Sequence, residues 1–175
     1  RMNHPLPAAE ARELAEADPA SLRGAAEEVR DRAFGRSITW SPKVFLPITR
    51  LCRDRCDYCS FRRSPDASGI YTMSLAEIRA EVARAAAAGC VEALICIGDT
   101  PETTFPRYRA FLAENGFHAT VDFLHAAAQI ALDAGLVPHT NAGLLSEESL
   151  TRLRAVNASQ GIMLETTSDR LLGAC

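Results

Sequence analysis

Apolar residues in this chain follow two habits. Short dense runs, Val44 to Ile48, Val91 to Ile97, Leu136 to Thr140 and Gly161 to Leu164, read as buried strands. Between them the apolar positions recur at helical spacing. Ile78, Val82 and Ala85 follow Ser74, whose partner Glu77 three residues on completes a capping-box signature, and the stripe stops at Gly89. Further helices are expected around Pro106 to Glu114, from Thr120 to Ala134, and from a cap at Ser146 to near Arg154, with Gly116 and Gly135 as stops. Residues 1 to 40 differ: Leu14, Leu22, Val29 and Phe34 are spaced unevenly among alanines and charges, which predicts two short helices separated at Pro19.

Strands alternating with helices imply an α/β fold with a parallel sheet and right-handed crossovers. The predicted organisation is an N-terminal helical segment, 1–40, followed by an α/β domain, 41–175. About four strand-helix units do not close an eight-stranded (β/α) TIM-type barrel, which takes roughly 250 residues. The expectation is therefore the N-terminal part of a barrel, an incomplete piece that begins at Arg1 and stops soon after the fourth strand. Taken alone, such a piece would carry two unpaired sheet edges and should be poorly stable or associate.

Composition narrows the class. With 175 residues, 47% hydrophobic and 23% charged, the sequence is that of an ordinary soluble globular protein. No apolar run approaches the ~20 residues of a membrane helix, and a net charge of -3 argues against general affinity for nucleic acid. The polar, alanine-rich start from Arg1 to Glu13 lacks the apolar core of a secretory leader, so a cytoplasmic setting with reduced thiols is expected.

The chemistry concentrates in Leu51-Cys-Arg-Asp-Arg-Cys-Asp-Tyr-Cys-Ser-Phe61, directly after the first strand. Cys52, Cys56 and Cys59 are thiolates at x3 and x2 spacing, suited to a soft metal, and three rather than four leave a coordination position open. A structural zinc ion wants a fourth Cys or His, and none lies near in sequence. Arg50, Arg53, Arg55, Arg62 and Arg63 make the loop basic, either as a complement to a negative cluster or as a solvated arginine-rich surface. Cys90 and Cys96 read as small buried hydrophobes. Polar groups gather just after the strands, at Asp99, Glu102, Asn141 and Glu165, where parallel α/β sheets place their active sites.

The spacing Cys-x3-Cys-x-aromatic-Cys, with Tyr58 in the aromatic place, resembles the radical S-adenosylmethionine (SAM) superfamily. A narrower resemblance rests on Lys43-Val-Phe-Leu-Pro-Ile-Thr-Arg-Leu-Cys-Arg-Asp-Arg-Cys56, Gly89-Cys-Val-Glu-Ala-Leu94, Gly98-Asp-Thr-Pro-Glu102, Gly135-Leu-Val-Pro-His-Thr-Asn141 and Met163-Leu-Glu-Thr-Thr167. Together these segments look like the CofG-type half of FO synthase, which makes the deazaflavin chromophore of coenzyme F-420. Two departures stand out: Ala142 where a proline is expected after the asparagine, and Ser159-Gln160-Gly161 where Ser-Met-Gly is expected.

The resemblance implies a radical SAM barrel with a [4Fe-4S] cluster on Cys52, Cys56 and Cys59, and SAM on its fourth iron. Tyr58 would lie near the adenine. Gly98 to Glu102 takes the place of the family's glycine-glycine-glutamate motif, so that Asp99 or Glu102 would hold the methionine amino group. Glu165 would contact SAM's ribose or amino group, or else cap a helix, and Asn141 would bind SAM or substrate. His139 is a weaker candidate than Asn141, since a His at a strand end is often simply a satisfied structural residue. The implied reaction is a lyase-type radical cyclisation of 5-amino-5-(4-hydroxybenzyl)-6-(D-ribitylimino)uracil with loss of ammonia. No residue here is assigned as its catalytic base. The implied partners are a small-molecule substrate, a CofH-type enzyme or fused domain, and a reductant such as ferredoxin or flavodoxin. Two other classes stay open: another radical SAM enzyme of the CofH, menaquinone-pathway or biotin synthase kind, and a non-catalytic metal-binding protein.

Overall fold

Four strands lie side by side in chain order: β1 (Lys43–Pro47), β2 (Glu92–Cys96), β3 (Val137–Asn141) and β4 (Ser159–Gly161). All three pairings are parallel, as expected of strands separated by helices. The computed structural model describes residues 6–164 and 167–171. The chain divides into two compact units, residues 1–40 and residues 41–175.

In the first unit lie α1 (Ala8–Glu16) and α2 (Pro19–Phe34). Asp18 caps α2 by accepting the Ser21 N–H at 2.8 Å, and Pro19 takes the first helical position, where its missing N–H costs nothing. The second helix is longer than expected because nothing between Pro19 and Gly35 stops it; the lone Gly24 is tolerated. Neither helix has a buried residue, in keeping with the uneven apolar spacing.

The second unit contains the sheet with α3 (Leu75–Ala87), α4 (Pro101–Thr104), α5 (Pro106–Glu114), α6 (Thr120–Asp133) and α7 (Glu147–Arg154). Strand alternation decides the layers. Val44, Leu46 and Ile48, with Ala93, Ile95, Pro138 and Thr140, are buried on one side of the sheet, where α3 meets β1 and α6 meets β2 and β3. Ile78, Val82, Phe123, Leu124, Ala127 and Ala131 fill the space between helices and sheet. The opposite face carries Phe45, Leu94, His139 and Ser159 in one row and Pro47, Cys96, Asn141 and Gly161 in the next. This architecture is a parallel α/β sheet consistent with part of a TIM-type barrel.

Two expectations are corrected. The fourth strand is Ser159–Gly161, ahead of the apolar run from Ile162 to Leu164, whose side chains are exposed. Its register explains the shift: Gly161 pairs with Asn141, the last residue of β3, so the following residues have no neighbour on that side. Asn141 consequently belongs to β3 rather than to the loop after it. Glu102 lies just after β2, in α4, a single turn started by Pro101 and too short to leave a periodic signal. No helix among the described residues is long and apolar enough to cross a membrane.

Candidate metal centre

The cysteine loop leaves β1 through a stitched neck. Ile48 donates its N–H to the Cys96 carbonyl at 2.9 Å, and its own carbonyl accepts the Met73 N–H at 2.8 Å. Thr49 and Thr72 form an antiparallel bridge with their hydroxyls 2.8 Å apart. Arg50 N–H donates to the Tyr71 carbonyl, and Arg63 N–H to the Arg50 carbonyl. Just beyond the neck, Ser74 and Glu77 form the expected capping box at the start of α3. Hydrogen bonds from Ser74 and Tyr71 pull the Glu77 carboxyl down to about 2. Burial, reinforced by Glu77, pushes the Tyr71 phenol up to about 12.

Cys52, Cys56 and Cys59 are half-buried thiols, and no described cysteine is in a disulfide. The Cys59 N–H donates to the Cys56 carbonyl at 3.0 Å, closing a tight turn. Two sulfurs receive backbone donors: Asp99 N–H reaches Cys52 Sγ at 3.3 Å, and Arg62 N–H reaches Cys59 Sγ at 3.4 Å. Gly98 permits the first of these. A Cβ there would sit 2.7 Å from Cys52 Sγ and 2.8 Å from its Cα, so only glycine lets β2 approach the cysteine this closely. Cys96, on the open face of β2, has its thiol pushed up by burial.

The polar groups after the strands divide into those near the cysteines and those elsewhere. Asp99 is buried, at 7% exposure, and meets the Cys52 end of the loop. Asn141 ends β3 beside Cys96, and its carbonyl accepts the Ile97 N–H at 3.0 Å. Glu102 turns aside: its carboxylate accepts the Thr120 hydroxyl at 2.7 Å, and that hydroxyl also lies 3.4 Å from Tyr108 Oη. Tyr58 is 70% exposed on the loop. His139 Nδ1 pairs with Ser159 Oγ at 2.5 Å. Glu165 lies outside the described residues.

Three structural roles at the site escaped the sequence reading. Arg53 pairs with Asp99, a partner 46 positions away in sequence. Gly143 brings the loop after β3 against Asp99, where a Cβ would stand 2.8 Å from the Asp99 Cα. Thr100 has φ +28°, a left-handed conformation that a β-branched residue rarely adopts. Its hydroxyl is buried without a partner among the described residues. A residue before proline is normally extended, so the Thr-Pro step did not forecast that strain.

The donor set fits an iron–sulfur cluster with an organic ligand. Thiolates suit soft iron, N–H groups on the sulfurs are the usual tuning contacts, and an orphaned hydroxyl at a strand end has capacity for a polar ligand. No three His, Cys, Asp or Glu side chains among the described residues converge on a single-ion position. Cys52, Cys56 and Cys59 are among those side chains, so this structure does not draw the three sulfurs to one point.

A parallel α/β sheet with a three-cysteine loop at the carboxyl end of its first strand defines a class. The sequence pattern of the radical SAM superfamily matches residues 46–175, and the chain belongs to that superfamily. Its members generally use a [4Fe-4S] cluster and SAM. Among curated proteins, the chain is 46% identical over 133 residues to a 7,8-didemethyl-8-hydroxy-5-deazariboflavin synthase from Methanoregula boonei, covering 76% of this chain and 40% of that protein. It is 44% identical over 128 residues to the enzyme of the same name from Archaeoglobus fulgidus, covering 73% and 38%. An FO synthase from Nocardia farcinica matches at 42% over 165 residues, covering 88% of this chain and 19% of that protein. The chain thus spans two fifths or less of these relatives' lengths.

Proposed function

We propose that this chain is the cluster-bearing part of a CofG-type FO synthase, with residues 41–175 forming part of its barrel and residues 1–40 a helical segment ahead of it. The observation that carries this reading is the seating of Cys52 against Gly98 and Asp99, beside the unpartnered Thr100 hydroxyl. The names of the similar proteins support the narrower assignment.

In this reading Cys52, Cys56 and Cys59 hold the [4Fe-4S] cluster. When bound, the cluster and SAM supply a 5'-deoxyadenosyl radical after one-electron reduction. Tyr58 would lie near the adenine, while Gly98, Thr100, Asn141 and Glu165 would line the SAM side, with Asp99 at the base of the turn and Glu102 joining them only by releasing the Thr120 hydroxyl. The sheet's open face, with Cys96 and Asn141 in its upper row, orients the substrate and keeps water away from it. The substrate is 5-amino-5-(4-hydroxybenzyl)-6-(D-ribitylimino)uracil, cyclised with loss of ammonia and delivered by a CofH-type partner or fused domain. A ferredoxin or flavodoxin would supply the electron, in the cytoplasm. Groups on the substrate side come from the larger span of the relatives beyond the matched residues.

The test is anaerobic reconstitution of the full-length protein with iron and sulfide, followed by reduction and mass-detected chromatography of 5'-deoxyadenosine. Formation that requires Cys52, Cys56 and Cys59 and rises with the hydroxybenzyl adduct is the expected result. SAM cleavage indifferent to the adduct would overturn the substrate and point to another radical SAM enzyme. Absence of any cluster would overturn the catalytic reading as a whole.

A further inference from the structure

Asp99 makes an unusual number of commitments for a carboxylate at a strand end. One carboxylate oxygen, Oδ2, is taken by the Arg53 guanidinium. The other, Oδ1, accepts the Leu144 N–H at 3.0 Å. Its backbone N–H goes to Cys52 Sγ at 3.3 Å, and its carbonyl accepts the Arg53 N–H at 3.2 Å. Two glycines make room on either side: Gly98 against Cys52, and Gly143, at φ +68°, against the Asp99 backbone and side chain. Three segments distant in sequence therefore meet at one buried residue: the cysteine loop, the end of β2 and the loop after β3.

We propose that Asp99 is a positioning residue, pinned by Arg53, that locks the Cys52 end of the cysteine loop to the carboxyl ends of β2 and β3 rather than gripping SAM itself. Each carboxylate oxygen has a partner, and the Arg53 guanidinium neutralises the charge that would draw an ammonium group. Charge assistance strengthens the Arg53 contact, with the carboxylate side buried and the guanidinium side about half exposed. Through its main chain the same residue holds a donor on the Cys52 sulfur. Hydrogen bonds to sulfur set cluster potentials, so loosening the pin should move the potential without removing a ligand. The part of this inference that concerns the cluster and SAM rests on the radical SAM reading above; the interlocking of the three segments does not.

The experiment uses the full-length protein and three variants, Asp99→Asn, Arg53→Ala and Arg53→Lys, with the double variant D99N/R53A. In the cluster-free protein, hydrogen exchange followed by mass spectrometry should quicken together in residues 52–59 and 143–145 for both Asp99→Asn and Arg53→Ala. Arg53→Lys should restore part of the protection. Arg53 has no bond to Leu144, so unchanged exchange at 143–145 in Arg53→Ala would overturn the pin, whether or not a cluster can be built. In reconstituted protein, the single and double variants should shift the midpoint potential alike and weaken SAM binding equally, within roughly threefold of one another. Loss of SAM affinity by at least about tenfold in Asp99→Asn alone, with Arg53→Ala at the parent value, would instead make Asp99 a direct ligand and overturn the proposal. Failure of the parent protein to take up iron would sink the cluster reading and leave the exchange result to decide the pin.

Discussion

Gly98 has no room for a methyl group, and the reason lies in a sulfur rather than in backbone torsion. Its φ is not in the left-handed region, so alanine would be tolerated there by the backbone alone. The obstacle is Cys52, whose Sγ and Cα would stand 2.7 and 2.8 Å from the new carbon. Gly98→Ala must therefore push the cysteine off its place. Disturbing the surroundings of a metal ligand costs about 10- to 100-fold in metal affinity. Iron and acid-labile sulfide per chain should fall accordingly in Gly98→Ala while far-ultraviolet circular dichroism stays that of the parent. Retention of a full complement of iron would contradict this reading. Thr100 presents the opposite case, a residue whose torsion is strained while its hydroxyl has free capacity. The sequence displayed the ligand candidates but not these constraints, because a close approach or a positive φ leaves no mark on residue type unless glycine happens to carry it.

The start of α3 shows an element whose sequence signal and structure agree. Ser74, Glu77 and the stripe Ile78, Val82 and Ala85 were legible because each signal is local: a cap, its reciprocal acid and a helical repeat. β4 was displaced because its length depends on a neighbour, not on its own apolar content. The Arg53–Asp99 pair was hidden for the same reason, since nothing local links the two positions. For α3 itself, Ser74→Ala should cost about 1 kcal/mol in denaturant unfolding. Acid provides a second check. The Glu77 carboxyl falls from its ordinary 4.5 to about 2 in the folded protein, so its contribution is complete above pH 4.5 and is lost as pH drops toward 2. Tyr71 works in the other direction: its phenol rises from 10.0 to about 12, and its share is present below pH 10 and lost on the way to 12. Stability against pH should therefore decline at both ends, and Ser74→Ala should flatten the acid limb.

Across the second unit, α6 is the common neighbour. It touches α3, β2, β3 and α7, and Phe123 within it is fully buried between Phe111 and Phe117, with ring centroids 5.5 and 5.2 Å away, both edge-on. Phe123→Ala removes a large side chain from this meeting point and should cost about 3–5 kcal/mol in chemical denaturation. A loss below about 1 kcal/mol would mean that the site collapses around the gap. The neck of the cysteine loop, closed by Thr49, Thr72, Ile48 and Met73, bears on the life history of the protein. Most of the entropy of bringing the loop's ends together is met by protein bonds that need no iron. Oxidative loss of a cluster should then be an injury confined to the loop, while the sheet and helices stay folded around it. Protein stripped of iron with a chelator should regain its full cluster on anaerobic incubation with iron and sulfide, with no unfolding step, whereas Thr49→Ala/Thr72→Ala should recover more slowly. A molecule built this way can be repaired in place rather than replaced.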